Sequence, residues 1–480
     1  SFADDAEVQG FNTVLYEGTG ARQSVTGVGF TPDLIWTKDR DASTNWGARD
    51  SVRGAQIRLK LDETVVEAAS SAQLTRIDSD GFSLGTGSNV NANGNSFVAF
   101  AWDAGANNTI TGHSSVTWQG DDADNREISG FPFTPDLIWI KGRTFSGTNH
   151  QLYDSVRGFG LDKAIIPNET SAEGSEAPTY GGIQSVTKYG FQTKSGSSGG
   201  GLEDAHINMY QNAVYYSGIT GEYVAWAWDA GDSDPVSNTN GSITSTVKAS
   251  TTNGFSIVSW TGTGANATVG HGLSSAPDWM LVKNRDSAVD WAVYHSANTS
   301  EPETEELNLN KNDATEDKDN RWNDTAPTSS VFSVGNGDLT NKSSDKMIAF
   351  CWHNVTGKQK FGSYTGTGAN LDITLGFRAG WVMIKRTDST DNWYIFDSSR
   401  DPFGMTRSLY ADVASSEGDS STRSVTVDSD GMIIGSNSNI NASGGTFIYM
   451  AFAGSYSDFI TDVNTTGSIT SRVKANPTYG

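Results

Sequence analysis

Phe133-Thr134-Pro135-Asp136-Leu137-Ile138-Trp139-Ile140-Lys141 is the stretch on which the reading of this sequence turns. A short apolar, β-branched and aromatic run behind a turn of Thr, Pro and Asp predicts a buried strand. The same words return as Phe30-Thr31-Pro32-Asp33-Leu34-Ile35-Trp36-Thr37-Lys38, as Ala276-Pro277-Asp278-Trp279-Met280-Leu281-Val282-Lys283 and, shortened, as Gly380-Trp381-Val382-Met383-Ile384-Lys385. Four copies of this marker strand, each followed by a lysine, make the chain a repeat array.

The neighbours of the marker strand repeat with it. An aromatic residue and a glycine turn precede each copy, at Tyr16 to Gly20, Trp118 to Gly120, Trp260 to Gly264 and Tyr364 to Gly368. An Asp-Ser-x-Arg element follows at Asp50 to Arg53, Asp154 to Arg157 and Asp397 to Arg400, degraded in the third copy to His295-Ser296-Ala297-Asn298. Each unit ends on an aromatic-rich closing strand: Phe97 to Trp102, Tyr223 to Trp228, Met347 to Trp352 and Phe447 to Phe452. The marker lysines lie 103, 142 and 102 residues apart (141 − 38, 283 − 141, 385 − 283), which predicts two pairs of repeats separated by extra chain. Part of that extra chain, Gly241 to Ala249, recurs almost word for word as Gly467 to Ala475 just before the sequence stops. With Ser1 in place of a methionine, this predicts a processed chain or a fragment that leads toward a further repeat.

Composition agrees with an all-β protein. The 480 residues include 53 Gly, only 11 Pro and 10% aromatics, the profile of short strands joined by tight turns. In the last copy, strands are expected near 359–365, 380–387, 392–397, 423–428, 431–436 and 446–453. Asp78-Ser79-Asp80-Gly81 and Asp428-Ser429-Asp430-Gly431 read as hairpin turns. Roughly six to eight strands per hundred residues predict a two-sheet sandwich or jelly roll. The expected modules are 1–107, 108–232 with an inserted loop over 192–221, 253–356 and 357–456. Linkers are expected at 233–252 and at 457–480.

Charge and cysteine usage exclude several functions. With 33 Lys and Arg against 56 Asp and Glu the formal charge is −23, which disfavours nucleic acid and anionic membrane surfaces as partners. Cys351 is the only cysteine, so neither an intrachain disulfide nor a multi-thiolate zinc site can form. No apolar run is long enough for a spanning helix, and no basic and apolar leader opens the sequence.

The phrase from Gly241 to Trp260, with Asp290 to His295, Trp322 to Pro327 and Lys360 to Gly366, resembles repeat domains of tail-fibre-like structural proteins in marine bacteriophages. The first half, with Asp154 to Gly158 and Ala225 to Trp228, looks like a sister version. What the resemblance implies is lectin-like sandwich modules in a virion fibre or appendage, assembled in the host cytoplasm and exposed outside the cell. It carries over no catalytic residue. It also implies that other copies of the chain (a homo-oligomer, with a trimer preferred by analogy with fibres), other virion proteins and a host-surface glycan or protein are the partners. Two other classes stay open, a polysaccharide-cleaving tail enzyme and a purely structural capsid or tail decoration.

Residues shared among the copies read first as scaffold. These are Lys38, Lys141, Lys283 and Lys385, and the pairs Asp50 and Arg53, Asp154 and Arg157, Asp397 and Arg400. Each lysine is expected to stack on a ring or pair with the Asp of the element, and each arginine to bridge to turn carbonyls. Trp46, Trp291 and Trp393 follow the marker strand at similar distances; core packing is favoured over a sugar-stacking role. Recognition is expected instead in the insertion private to the second copy, carried by Tyr210, Tyr215 and Tyr216. Enzyme signals are poor: Gly196-Ser197-Ser198-Gly199-Gly200 matches a nucleophile elbow only formally. The carboxylates Asp62, Glu63 and Glu67, or Glu301, Glu303, Glu305 and Glu306, do not recur, and the six histidines have no metal spacing. No cofactor or metal is expected.

Overall fold

The computed structural model describes residues 11–30, 32–51, 54–70, 72–78, 81–102, 112–211, 219–401, 404–428, 430–454, 462–464 and 471–473. The protein is all-β, 42% strand and 6% helix, built of antiparallel sheets. In every repeat the large sheet has the order opening, closing, marker and following strand. These are Phe11–Glu17, Ser96–Trp102, Leu34–Asp39 and Gly47–Asp50 in the first repeat, and His113–Gln119, Glu222–Trp228, Leu137–Gly142 and Gln151–Asp154 in the second. Phe255–Thr261, Lys346–Trp352, Trp279–Asn284 and Ala292–His295 serve in the third, and Gln359–Thr365, Thr446–Ala453, Ala379–Arg386 and Trp393–Asp397 in the fourth. A small sheet lies over one face, for example Gln23–Thr26, Gly81–Leu84 and Leu74–Asp78 in the first repeat.

Strand periodicity explains why these runs are apolar throughout. Successive side chains of a strand point to opposite faces. In the second closing strand Tyr223, Ala225 and Ala227 enter the core beneath the small sheet, while Val224, Trp226 and Trp228 point the other way into a different core. Met347, Ala349 and Cys351 against Ile348, Phe350 and Trp352 divide in the same way, as do Phe447, Tyr449 and Ala451 against Ile448, Met450 and Phe452. Both faces of these sheets are therefore buried, and no polar alternation is left to see.

The chain divides into two compact units. Unit 1 is Ser1–Thr109 with Phe459–Gly480, and unit 2 is Ile110–Asp458. In space the repeats thus group as one and three, where the lysine spacing predicts two pairs. The long interval between Lys141 and Lys283 holds the insertion of the second repeat and two added strands. Those strands, Val236–Asn238 and Ser245–Ser250, extend the third repeat's sheet beyond its opening strand, so 233–252 is not a bare linker. Val247 and Ser245 are buried there because the alternation of Ser-Thr-Val-Lys-Ala-Ser turns one edge of it inward. In the fourth repeat the expected strands form, and Leu371–Thr374, Arg407–Tyr410 and Gly418–Asp419 are additional.

Candidate functional site

The shared polar residues frame the modules. Arg400 Nε lies 2.5 Å from Asp397 Oδ2 with both side chains fully buried, and Arg157 makes the same pair with Asp154 at 2.5 Å. The arginines also donate to carbonyls, Arg400 Nη2 to Ile395 O at 3.0 Å and Arg157 Nη1 to Lys163 O at 2.6 Å. Asp50 closes the first repeat's following strand, and Arg53 lies outside the described residues. The marker lysines donate to carbonyls rather than to those aspartates: Lys38 to Asp39 O at 2.6 Å, Lys141 to Gly142 O at 2.7 Å, Lys283 to Thr170 O at 2.9 Å and Lys385 to Arg386 O at 2.6 Å. Lys385 also sits 6.0 Å from the centre of the Trp393 ring. Burial pushes Lys141 down to about 7, and Lys283 and Lys385 to about 8.

Three equivalent seams join repeats 2, 3 and 4. An arm runs on from the strand beside the following strand in repeats 3 and 4, Glu305–Asn308 and Arg407–Tyr410, and from the single bridge of Ile165 to Leu152 in repeat 2. The Glu173 N–H donates to Arg285 O at 2.9 Å, Thr315 to Thr387 O at 2.9 Å, and Glu417 to Arg143 O at 2.7 Å. Repeat 2 thus reaches to repeat 3, repeat 3 to repeat 4, and repeat 4 back to repeat 2, which closes a ring. Side chains reinforce the seams. Arg285 pairs with Glu173, Arg143 Nε lies 3.1 Å from Glu417 Oε2, and the Trp291 and Trp393 indoles donate to Ile166 O and Asn308 O, each at 3.0 Å. Although burial raises the Glu417 carboxyl, hydrogen bonds and charge from Arg143 and Arg400 hold it below the ordinary carboxylate range.

At the centre of the ring the last outward residues of the three closing strands meet. Trp228, Trp352 and Phe452 form a triangle with centroid separations of 5.9, 5.6 and 6.3 Å. Trp291 and Trp393 are wholly buried in the same core, which leaves them no face for a sugar.

The described part of the second repeat's insertion, 192–211 and 219–221, is packed. Phe145, Ala205 and Met209 form a small core of their own, and the Tyr223 hydroxyl donates to Ala205 O at 3.1 Å. Tyr210 is pinned through its backbone, its N–H donating to Asp122 Oδ1 at 2.6 Å and its carbonyl accepting from Gly221 at 2.7 Å, while the residue is 41% exposed. Tyr215 and Tyr216 lie outside the described residues. The Gly196 to Gly200 tract is a turn tied by Gly196 N–H to Glu203 O at 2.7 Å, with no helix following it. Glu306 is buried against Arg321, and Glu63 is held by Lys60 at 2.7 Å. Among the described residues no group of three or more His, Cys, Asp or Glu is placed to hold a metal.

Two features escaped the sequence reading. A buried asparagine recurs before the closing strand. Asn91, Asn341 and Asn441 accept from the N–H of Thr19, Thr263 and Thr367 at 2.8, 2.9 and 2.7 Å, and Asn208 receives Arg126 at the same place in the second repeat. Its place five residues before the closing strand in repeats 1, 3 and 4, at Asn91, Asn341 and Asn441, was the available signal. The other feature is an open apolar concavity of about 560 Å³ on unit 1, lined by Phe11, Trp36, Trp46, Leu61, Phe100 and Trp102. Trp36 and Trp46, which read as core, are only half-buried in this concavity.

No helix among the described residues is long and apolar enough to cross a membrane. No curated protein matches the chain. A protein family does, over residues 7–117 and again over 112–455, and the junction of the two matches falls at the boundary between repeat 1 and the three-repeat ring. Those two stretches span nearly all of the sequence, and the chain belongs to this family, described as the domain of unknown function DUF7483.

Proposed function

We propose that the chain is a non-enzymatic virion fibre or appendage protein, built of four jelly-roll, lectin-like β-sandwich modules, that displays a host-surface binding site with a glycan as the first candidate ligand. The observation that carries this reading is the division of labour inside unit 2. The residues common to the repeats are spent on buried ion pairs, seams and the central core, while the insertion private to repeat 2 holds an exposed tyrosine on a pinned backbone. A ring with one closed core is a rigid mount, and a fixed aromatic on it offers contact area at little entropic cost.

The test is the full chain carrying Tyr210→Ala, Tyr215→Ala and Tyr216→Ala together, measured for binding to host cells and to a glycan array. Binding should weaken by roughly 2–4 kcal/mol with the melting profile unchanged, since a few aromatic anchors usually dominate an interface. Unchanged binding by the folded triple variant removes the insertion as the site. Sustained release of reducing ends from host polysaccharide would overturn the non-enzymatic reading.

A further inference from the structure

The half-buried, open sheet face of repeat 1 matches in strand register the faces that repeats 2, 3 and 4 bury against one another. Strand register sets the correspondence. Leu34 faces Trp102 across the sheet as Leu137 faces Trp228, Trp279 faces Trp352, and Trp381 faces Phe452. Trp102 therefore holds the place of the three side chains that meet at the centre of the ring.

The seams can be mapped in the same way. The Trp46 N–H donates to Asp62 Oδ2 at 3.2 Å, and its counterparts Trp393, Trp291 and His150 donate to Asp412, Asn310 and Asn168 at 3.1, 2.9 and 2.9 Å. Five residues beyond these acceptors stand Glu67, Glu417, Thr315 and Glu173. Two residues beyond the marker lysines stand Arg40, Arg143, Arg285 and Thr387. Arg40 and Glu67, both exposed, are thus the counterparts of the pairs Arg285 with Glu173 and Arg143 with Glu417, which bind one repeat to the next. The face carries the apolar centre, the arm and the charge pair of a ring member.

We propose that this face is covered by the same face of two further copies of the chain, in a head-to-tail ring of three that repeats between chains what repeats 2, 3 and 4 do within one. A heterologous contact whose rotation closes gives a ring and not a filament, and unit 2 shows that this contact closes at three. Trp102 of each copy meets the other two at the axis, with Trp36 and Phe100 around it, and Arg40 of each copy pairs with Glu67 of the next. The inference rests on repeat geometry and is independent of the virion reading.

Sedimentation equilibrium on the full chain at micromolar concentration should give three times the 51.2 kDa chain mass. Trp102→Asp should return the chain to a single-copy mass with its far-UV spectrum kept. Arg40→Glu and Glu67→Arg should each weaken assembly by about tenfold or more, and the two combined should restore it, because the pair re-forms between copies with its signs exchanged. This reversal decides the matter even if Trp102→Asp fails to fold. A single-copy mass for the unaltered chain, as when the face is covered from within its own chain, overturns the proposal. So does a dimer, or a trimer indifferent to Trp102→Asp and to the charge exchange.

Discussion

Trp228 and Trp102 end equivalent closing strands and lead opposite lives. Trp228 packs on Trp352, Trp381, Phe452 and His113, with centroids 5.1 to 5.9 Å away, and is 1% exposed. Among the described residues, the Trp102 ring packs on the rings of Trp36, Phe11 and Phe100, all of its own repeat, and it remains partly accessible. The sheet beneath is the same in both, so the difference lies in what covers it. One face of a repeat belongs to its own core, and the other belongs to its neighbours.

The largest expected effect breaks the ring. Trp228→Ala should destabilise unit 2 by about 3–5 kcal/mol through lost transfer energy and the cavity left behind. Trp102→Ala, measured in chains diluted to single copies, should cost less, about 1–2 kcal/mol, because part of its side chain is already accessible to water. Chemical denaturation followed by hydrogen exchange, which reads each unit separately, checks both values. Equal costs would mean that the two faces are equally covered.

A second measurement sharpens the comparison from the other side. Asn441→Ala and Asn91→Ala remove the same internal bonds from repeats 4 and 1, and each should cost about 1–3 kcal/mol for the backbone groups left unpaired. Here the units should agree, since the asparagine serves its own repeat and no neighbour.

The smallest effect is one of pH. Lys141, Lys283 and Lys385 have folded values near 7 to 8, below the ordinary lysine value of 10.5. Between those limits the unfolded chain binds more protons than the folded one, so unit 2 gains stability as pH rises through 7 to 10. The unfolding midpoint of unit 2 should rise by a few degrees over that range, and replacing the three lysines by Met should flatten the rise. The corresponding Lys38 of unit 1 is only half-buried.

Much of the fold is legible because each repeat writes it again. The marker and closing strands, the glycine turns and the Asp-Ser-x-Arg elements are local patterns, and fourfold repetition separates them from chance. The grouping was not legible, because the core of unit 2 is made of contacts between residues such as Leu137, Trp352 and Phe452 that are distant in sequence. Trp46 and Trp291 occupy the same place in the pattern, yet one is half-buried and the other wholly buried, a distinction that depends on neighbours and not on the run each sits in. For the candidate site, Tyr210 was visible as a private residue; the backbone that pins it depends on Asp122, 88 residues away.

A ring closed within one polypeptide is free of the symmetry it imitates. Where three identical chains meet, any loop gained by one is gained by all, and the axis is crowded three times over. Inside unit 2 the three positions are separate stretches of sequence, and one of them has acquired an extra segment that the other two lack. Each chain therefore presents that segment once. A threefold association through unit 1 would gather three of them on one particle, so that if the segment binds as proposed, weak single contacts would add up to multivalent attachment.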